Sequence, residues 1–524
     1  MLAKPSVDQV LMKARSHSKK GEFLKALEIY QGVLKTFPKN IRAQEGLIVL
    51  KKSKQHNTTQ TPSKETVNKL IKYYQEARYD DIEKLARSLI EEFPKHLLSW
   101  KMLGAALYKS RKKYEALEAM LKTVELNSDD AEAHNNLGVI YQELNKFKEA
   151  EISYRQALVI KPNYAQAFNH LGNTLAVQSM SHPETIKKLR RLEEAEAYYK
   201  KALIIKHDYF EAHYNLGILF KYLNRLEEAE ASYRKAISYK HGFALAHNNL
   251  GNTLKELGKL KDAELNYEQA LIFKPDLIQA HYNKNFCLNY SSLLSQNLIY
   301  QEHLEFEKKF GGLEVRTSLN LPFKKKPGDK LRIGYVSGDF KKHSVAYFFE
   351  NLLEHHNYNI VEIFCYYNDN FIDETTKRLM SFSNHWRSIY EISDQDTVDL
   401  IKNDRIEILV DLSGYTAKNR LLVFAQKPSP IQVTWLGYPN TTGLSAIDYR
   451  ITDIIADPIG AADKLHSETL LRLPNSFLCY KGDKTVSLNV NLPQKNNGYI
   501  TFGSFNNLLK VTPEVIKTWS KILH

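Results

Sequence analysis

A 34-residue period governs the first half of this chain. Five glycines, each preceded by a leucine, stand at 104, 138, 172, 217 and 251, so successive gaps are 34, 34, 45 and 34 residues. The long gap is one 34-residue unit carrying an 11-residue insertion around QSMSHPETIKKL. A unit of this size cannot bury its own apolar face, so neighbouring copies must stack to build a core.

The unit at 131–164 reads AEAHNNLGVIYQELNKFKEAEISYRQALVIKPNY. Its Leu137, Gly138, Tyr141, Ala150, Tyr154, Ala157 and Pro162 fill the slots of the tetratricopeptide pattern, which the array resembles. The unit from 244 repeats it with Leu250, Gly251, Ala263, Tyr267, Ala270 and Pro275, and the unit from 210 with Leu216, Gly217, Ala229, Tyr233 and Ala236. Small residues let two antiparallel helices approach, Leu and Tyr fill the gap, and proline ends the second helix. Weaker copies precede, in KGEFLKALEIYQGVLKTFPKN and RYDDIEKLARSLIEEFPKH. A capping unit begins near Leu277, where Asn285 replaces the glycine. The expected layout is a divergent helical region over 1–60 and an array with its capping helix over 61–310.

Asn136, Asn215 and Asn249 all take the sixth position of their units, on the first helix, and His170 interrupts the series. In tetratricopeptide proteins that helix lines the concave face. A ladder of amides there, each able to donate and accept, suits the backbone of an extended peptide.

After a linker at 311–330 the period changes. Strand-like runs LRIGYVSG, NIVEIFCYY, HWRSIYEI, EILVDLSGY and IQVTWLGYP alternate with helical ones such as SVAYFFENLLEHH, ETTKRLMSF and DTVDLIKNDR. That alternation predicts a doubly wound, mainly parallel sheet over 331–485. Ligands in such sheets sit beyond the strands' carboxyl ends, where SGDFKKHS, DLSGYT and GYPNTTG fall. The absence of GxGxxG after a strand, GxxxxGK[ST], HExxH and GxSxG argues against nicotinamide, P-loop, zincin and α/β-hydrolase chemistry.

Composition narrows the rest. The formal charge is 73 − 60 = +13, yet the lysines interleave with glutamates, as in KFKEAE, which reads as solvated helix faces rather than a nucleic-acid surface. Cys287, Cys365 and Cys479 form no CxxC pair, which excludes a disulfide scaffold and a cysteine zinc site. With no signal-peptide core and no long apolar run, the expected location is cytoplasmic, without a membrane partner.

Tetratricopeptide units joined to LRIGYVSGDFKKHSV, SNHWRSI, DLSGYT, SPIQVTWLGYPNTTG and DYRITD resemble the protein O-GlcNAc transferase family, which includes the SPINDLY-type protein O-fucosyltransferases. The resemblance implies a metal-independent, inverting, two-lobed GT-B glycosyltransferase with no cofactor. A nucleotide-sugar donor, with UDP-GlcNAc the leading expectation, would sit mainly on the second lobe. It implies His343 as the active-site histidine, with His385 and the Gly437–Tyr438–Pro439 loop on the acceptor side. It also implies Lys510 at the donor diphosphate, with Asn507 beside it where the family has glutamine. A cation at Lys510 would stabilise charge on the departing nucleotide. The family's repeats also allow a homodimer.

Only 524 − 498 = 26 residues follow Gly498, supplying one expected strand, YITFGSFN, and one helix opened by Thr512-Pro513. The second lobe over 498–524 is therefore expected to be incomplete and this chain alone to be inactive. The leading expectation is sugar transfer to Ser/Thr of proteins held by the repeats. The alternatives are a non-catalytic repeat scaffold with a degenerate lobe, or protein O-fucosylation.

Overall fold

The computed structural model describes residues 6–19, 22–56, 61–180, 185–291, 294–311, 328–482 and 491–523. The chain divides into two compact units, residues 1–219 and 220–524.

The first unit is helical. Helices α1 (Val7–Lys19), α2 (Phe23–Thr36) and α3 (Ile41–His56) close a small core around Leu11, Tyr30 and Leu50. Antiparallel pairs follow: α4 (Lys64–Gln75) with α5 (Tyr79–Glu92), α6 (Leu97–Lys109) with α7 (Lys113–Leu126), α8 (Ala131–Glu143) with α9 (Phe147–Ile160), and α10 (Ala165–Met180) with α11 (Thr185–Ile205). The glycine period has a steric cause. A Cβ on Gly138 would lie 2.5 Å from the ring of Tyr154, a fully buried side chain on the second helix of the same pair. The 11-residue insertion lengthens α10 and α11 to 16 and 21 residues, against 13 and 14 in the pair before them. α12 (Phe210–Tyr222) spans the division between the units.

In the second unit the repeat helices are α13 (Leu226–Tyr239), α14 (Ala244–Glu256), α15 (Leu260–Phe273), α16 (Ile278–Leu288) and α17 (Gln296–Phe310). A seven-stranded, all-parallel sheet follows: β1 (Leu331–Ser337), β2 (Val361–Tyr367), β3 (His385–Ser388), β4 (Ile408–Asp411), β5 (Ile431–Thr434), β6 (Tyr449–Asp453) and β7 (Thr469–Leu473). Its order is β3-β2-β1-β4-β5-β6-β7, so the winding reverses between β1 and β4. The crossover helices are α18 (Ser344–Glu354), α19 (Glu374–Phe382), α20 (Asp394–Asn403) and α21 (Leu421–Ala425). Residues of α18 and α19 pack on one face with Ile363, Cys365 and Tyr367, and those of α20 and α21 on the other with Phe364 and Tyr366. Expected strands and helices of this region form where the alternation places them.

The capping helices do not stop at a spacer. Phe306 of α17 lies inside the core that holds Val336, Tyr366 and Leu409, and Ile278, Tyr282, Phe286 and Phe310 pack against that core. Most of the anticipated linker, 312–327, lies outside the described residues.

The strand expected over YITFGSFN is not formed. Residues 499–507 run irregularly, with Tyr499, Ile500, Phe502 and Phe505 exposed. Strand propensity is expressed only against a neighbouring ladder, and among the described residues this segment has none. Short α22 (Pro493–Asn497) precedes it, and α23 (Pro513–Leu523) begins at Thr512-Pro513 as anticipated. Among the described residues no helix is long and apolar enough to cross a membrane, and no group of three or more His, Cys, Asp or Glu side chains is placed to hold a metal ion.

Candidate functional site

Three loops leave the carboxyl ends of adjacent strands β1, β4 and β5 and interlock. A Cβ on Gly338, after β1, would meet the Lys418 Cβ of the loop after β4 at 2.6 Å. A Cβ on Gly414, in that second loop, would meet the Tyr438 Cβ of the third at 2.2 Å. The switch between β1 and β4 is where a parallel sheet opens a crevice for ligands.

In the first loop, Phe340 is fully buried and stacks on Phe349 at 5.0 Å, which anchors the chain midway. His343 then caps α18: its Nδ1 accepts from the Val345 N–H at 3.3 Å and lies 3.7 Å from Asp339 Oδ2. Burial raises the Asp339 carboxyl above its ordinary range, against the opposing pull of His343 and Lys341. Beside it Asp369, after β2, takes Lys341 Nζ at 2.6 Å and Lys418 Nζ at 2.5 Å. Burial alone would raise Asp369; the hydrogen bonds of the two lysines outweigh it and pull the carboxyl down to about 2.

In the second loop Asp411, fully buried, accepts from the Ser413 and Gly414 N–H groups at 3.1 and 2.9 Å and from Thr434 Oγ1 at 2.9 Å. Burial pushes it up to about 6, although those hydrogen bonds oppose the rise. In the third loop Leu436 takes φ 71° and the Gly437 N–H reaches back to the Trp435 carbonyl at 2.8 Å, a γ-turn. Arg450 Nη1 donates to the carbonyls of Tyr438 and Asn440 at 3.0 and 2.9 Å. Glu468 accepts from Thr441 Oγ1 at 2.6 Å and the Thr442 N–H at 2.7 Å.

Of the sequence-derived residues, His343 and the Gly437–Tyr438–Pro439 turn share this carboxyl edge. Pro439 is exposed on it, whereas Tyr438 is buried and points its hydroxyl into the core. His385 is not brought beside His343. It pairs with Phe364 in register, three ladder steps before Tyr367 and so roughly 10 Å below the carboxyl edge. There its ring stacks on Phe364 at 4.1 Å and its Nε2 meets Glu362 Oε1 at 2.8 Å. Lys510 and Asn507 are exposed; Asn507 Oδ1 accepts from the Leu509 N–H at 3.0 Å and shapes the turn that carries Lys510. Leu509 and Val511–Pro513 line a cavity of about 190 Å³ with Leu260, Cys287 and Tyr290.

Sequence reasoning missed Asp339, Asp369, Asp411, Arg450 and Glu468. Asp339, four residues before His343, and Asp411, which opens DLSGYT, carried a local signal; Asp369, Arg450 and Glu468 gain their partners from distant segments.

The amide series has a structural use as well. In the first unit Asn215 Nδ2 donates to Asn169 Oδ1 at 2.9 Å, and His170 Nδ1 meets Asn135 Oδ1 at 3.0 Å. In the second unit Asn283 Nδ2 donates to Asn248 Oδ1 at 2.9 Å, and Asn249 accepts from Asn248 at 3.3 Å. Sixth-position residues thus bond back to the fifth position of the preceding repeat. Asn136, Asn215 and Asn249 stay half-exposed, and Asn283 occupies the same slot one repeat later.

Titration distinguishes two buried groups. Burial holds the His303 ring of α17 down to about 4, so stability present above pH 6.5 is lost as pH falls toward 4. Asp411, raised to about 6, works oppositely: its cost is complete above pH 6 and relieved toward 3.8. Between pH 7 and 5 the histidine removes about 2 kcal/mol and the aspartate returns about 1 kcal/mol. In urea denaturation of the second unit, His303→Gln should lessen the loss on acidification and Asp411→Asn should deepen it. Identical pH slopes in both variants and the wild type would contradict this.

The family described as Glycosyl transferase family 41 matches residues 313–489, and tetratricopeptide repeat families match 131–164, 210–240 and 244–274. A protein of Solanum lycopersicum named "Probable UDP-N-acetylglucosamine--peptide N-acetylglucosaminyltransferase SPINDLY" is 42% identical over 245 residues, covering 46% of this chain and 26% of that protein. The "UDP-N-acetylglucosamine--peptide N-acetylglucosaminyltransferase" of Caenorhabditis elegans is 38% identical over 156 residues, 29% of this chain and 13% of its own. Among solved structures, a mutant O-GlcNAc transferase of Thermobaculum terrenum superposes with a TM-score of 0.58 at 32% identity, covering 67% of this chain and 66% of that one. The match spans about a quarter of the length of the plant relatives.

Proposed function

We propose, from the premise that this chain belongs to the O-GlcNAc transferase-like family, that it serves protein O-glycosylation: transfer of a sugar from a nucleotide diphosphate to Ser or Thr hydroxyls of polypeptides held by the repeats. One observation carries the reading. The loops after β1, β4 and β5 form one platform at the switch of a parallel sheet, and the capping repeat is hydrogen-bonded directly into it through Asn289 and Tyr438. Within the second unit this joins the last repeat to the loops on which the proposed chemistry depends.

In this reading His343, half-exposed at the edge, meets the acceptor hydroxyl, while Pro439 and its turn shape the entry. Lys510 faces the donor diphosphate, with Asn507 beside it. No cofactor or metal is required, because fixed cations can offset charge on the departing nucleotide. Asn136, Asn215 and Asn249 hold the acceptor backbone. N-acetylglucosamine is the sugar we favour, since the relatives are named for it.

The test incubates the complete protein with a Ser/Thr-rich peptide and either UDP-GlcNAc or GDP-fucose, and reads the peptide mass. A gain of one N-acetylhexosamine supports the proposal, and a gain of one deoxyhexose replaces the donor. Peptide binding with neither mass gain favours the scaffold reading.

A further inference from the structure

Tyr438 lies in an aromatic cluster with Tyr415, Phe286 and His303, where a phenylalanine would pack as well. Its hydroxyl is nonetheless surrounded by polar groups. His303 Nε2 stands 2.7 Å away, Asn289 Nδ2 donates to it at 2.7 Å, and the Asn285 carbonyl is 3.1 Å away. His303 is fully buried, and its Nδ1 pairs with the Ile299 carbonyl at 2.7 Å. With that proton donated to the backbone, the Nε2 lone pair accepts the tyrosine hydroxyl proton.

The end of α16 and the α17 helix each grip the loop once more. Asn289 Oδ1 accepts from Asn440 Nδ2 at 3.1 Å, and Ser445 Oγ donates to Glu307 at 2.5 Å. A Cβ on Gly443 would strike the His303 carbonyl at 2.3 Å, so the loop's exit runs flush against α17. Asn285 stands where earlier repeats carry glycine, and its carbonyl accepts from Asn289 Nδ2 at 2.9 Å, which steadies the amide that reaches Tyr438. A buried polar network of this kind fixes one arrangement where apolar packing tolerates several.

We infer that His303 and Asn289 are positioning residues: through the Tyr438 hydroxyl and Asn440 they set the Gly437–Pro439 turn, so the capping repeat fixes the acceptor side of the cleft. This rests on the transferase reading of that turn. Neither residue touches substrate; each acts through the loop.

Hydrogen exchange and transfer kinetics on the complete protein test it. His303→Leu and Tyr438→Phe should each speed exchange of the amides at 437, 438 and 440–443 by about tenfold, with amides of β1 and β2 unchanged. The same variants should lower kcat with the acceptor peptide by about tenfold and leave the donor KM unchanged. His303→Gln, whose side-chain oxygen can accept the hydroxyl proton, should recover most of both. Unchanged exchange in Tyr438→Phe, or exchange raised equally throughout the sheet, overturns the inference. Exchange is read whether or not sugar is transferred, so a wild-type protein without transfer sinks the transferase reading alone.

Discussion

Gly437→Ala should destabilise the sheet-bearing unit by at least about 3 kcal/mol, the upper range for overpacking, and lower its melting temperature by roughly 6–12 °C. A Cβ there would stand 1.9 Å from the Leu412 carbonyl oxygen, 2.5 Å from its carbon and 3.0 Å from Ser413 Cα. All three are backbone atoms, so no side-chain rotation relieves the overlap. Nor can the opposing loop retreat. Asp411 holds the Ser413 and Gly414 N–H groups, and Gly414 is itself pressed against Tyr438. On the other side Arg450 fixes the Tyr438 carbonyl. Displacing the turn therefore breaks buried hydrogen bonds instead of flexing a free loop. Pro439→Ala, two residues on and exposed, should fall within about 0.5 kcal/mol of the wild type. Calorimetric melting decides it: a Gly437→Ala protein melting within 2 °C of the wild type would remove the argument.

That contrast shows where sequence reading reached and where it stopped. The 34-residue period was legible because its cause is local to one helix pair: glycine under tyrosine, as with Gly138 and Tyr154. The sheet was legible because its strands, buried on both faces, read as apolar runs such as VEIFCYY. GYP read as a turn, but nothing local said that Tyr438 would turn inward. Its partners stand 135 and 149 residues away on capping helices, and α17 carries no leucine-glycine signature. Arg450 and Glu468 were illegible for the same reason, since a buried charge is recognisable only with its partner in view. The strand expected at YITFGSFN failed in the opposite way, having propensity without a ladder. His385 shows a further limit: a motif can locate a residue in sequence, while the register places its ring on a sheet face against Phe364 and Glu362.

The largest effect on chemistry is expected at His343. Replacing it with alanine should lower kcat for sugar transfer by about 10²–10⁴-fold, the span of a positioned acid–base group, with little change in acceptor binding. Its Nδ1 is committed inward, to the Val345 N–H and toward Asp339, which leaves Nε2 as the nitrogen able to meet an acceptor hydroxyl. While Nδ1 accepts from Val345, the neutral ring carries its proton on Nε2 and can only donate. To receive a proton, the ring must move its own to Nδ1, and Asp339 Oδ2, 3.7 Å away, is the acceptor positioned to hold it there. Proton transfer therefore calls on Asp339, whereas simple hydrogen-bond donation does not. Asp339→Asn should accordingly cost about tenfold in kcat, because an amide cannot balance the imidazolium that forms. Rates of both variants, measured on the complete protein with saturating donor, check the pair of claims. Wild-type turnover in His343→Ala would remove the histidine from the reaction. A large loss there with none in Asp339→Asn would leave it a hydrogen-bond donor and hand the proton to another group.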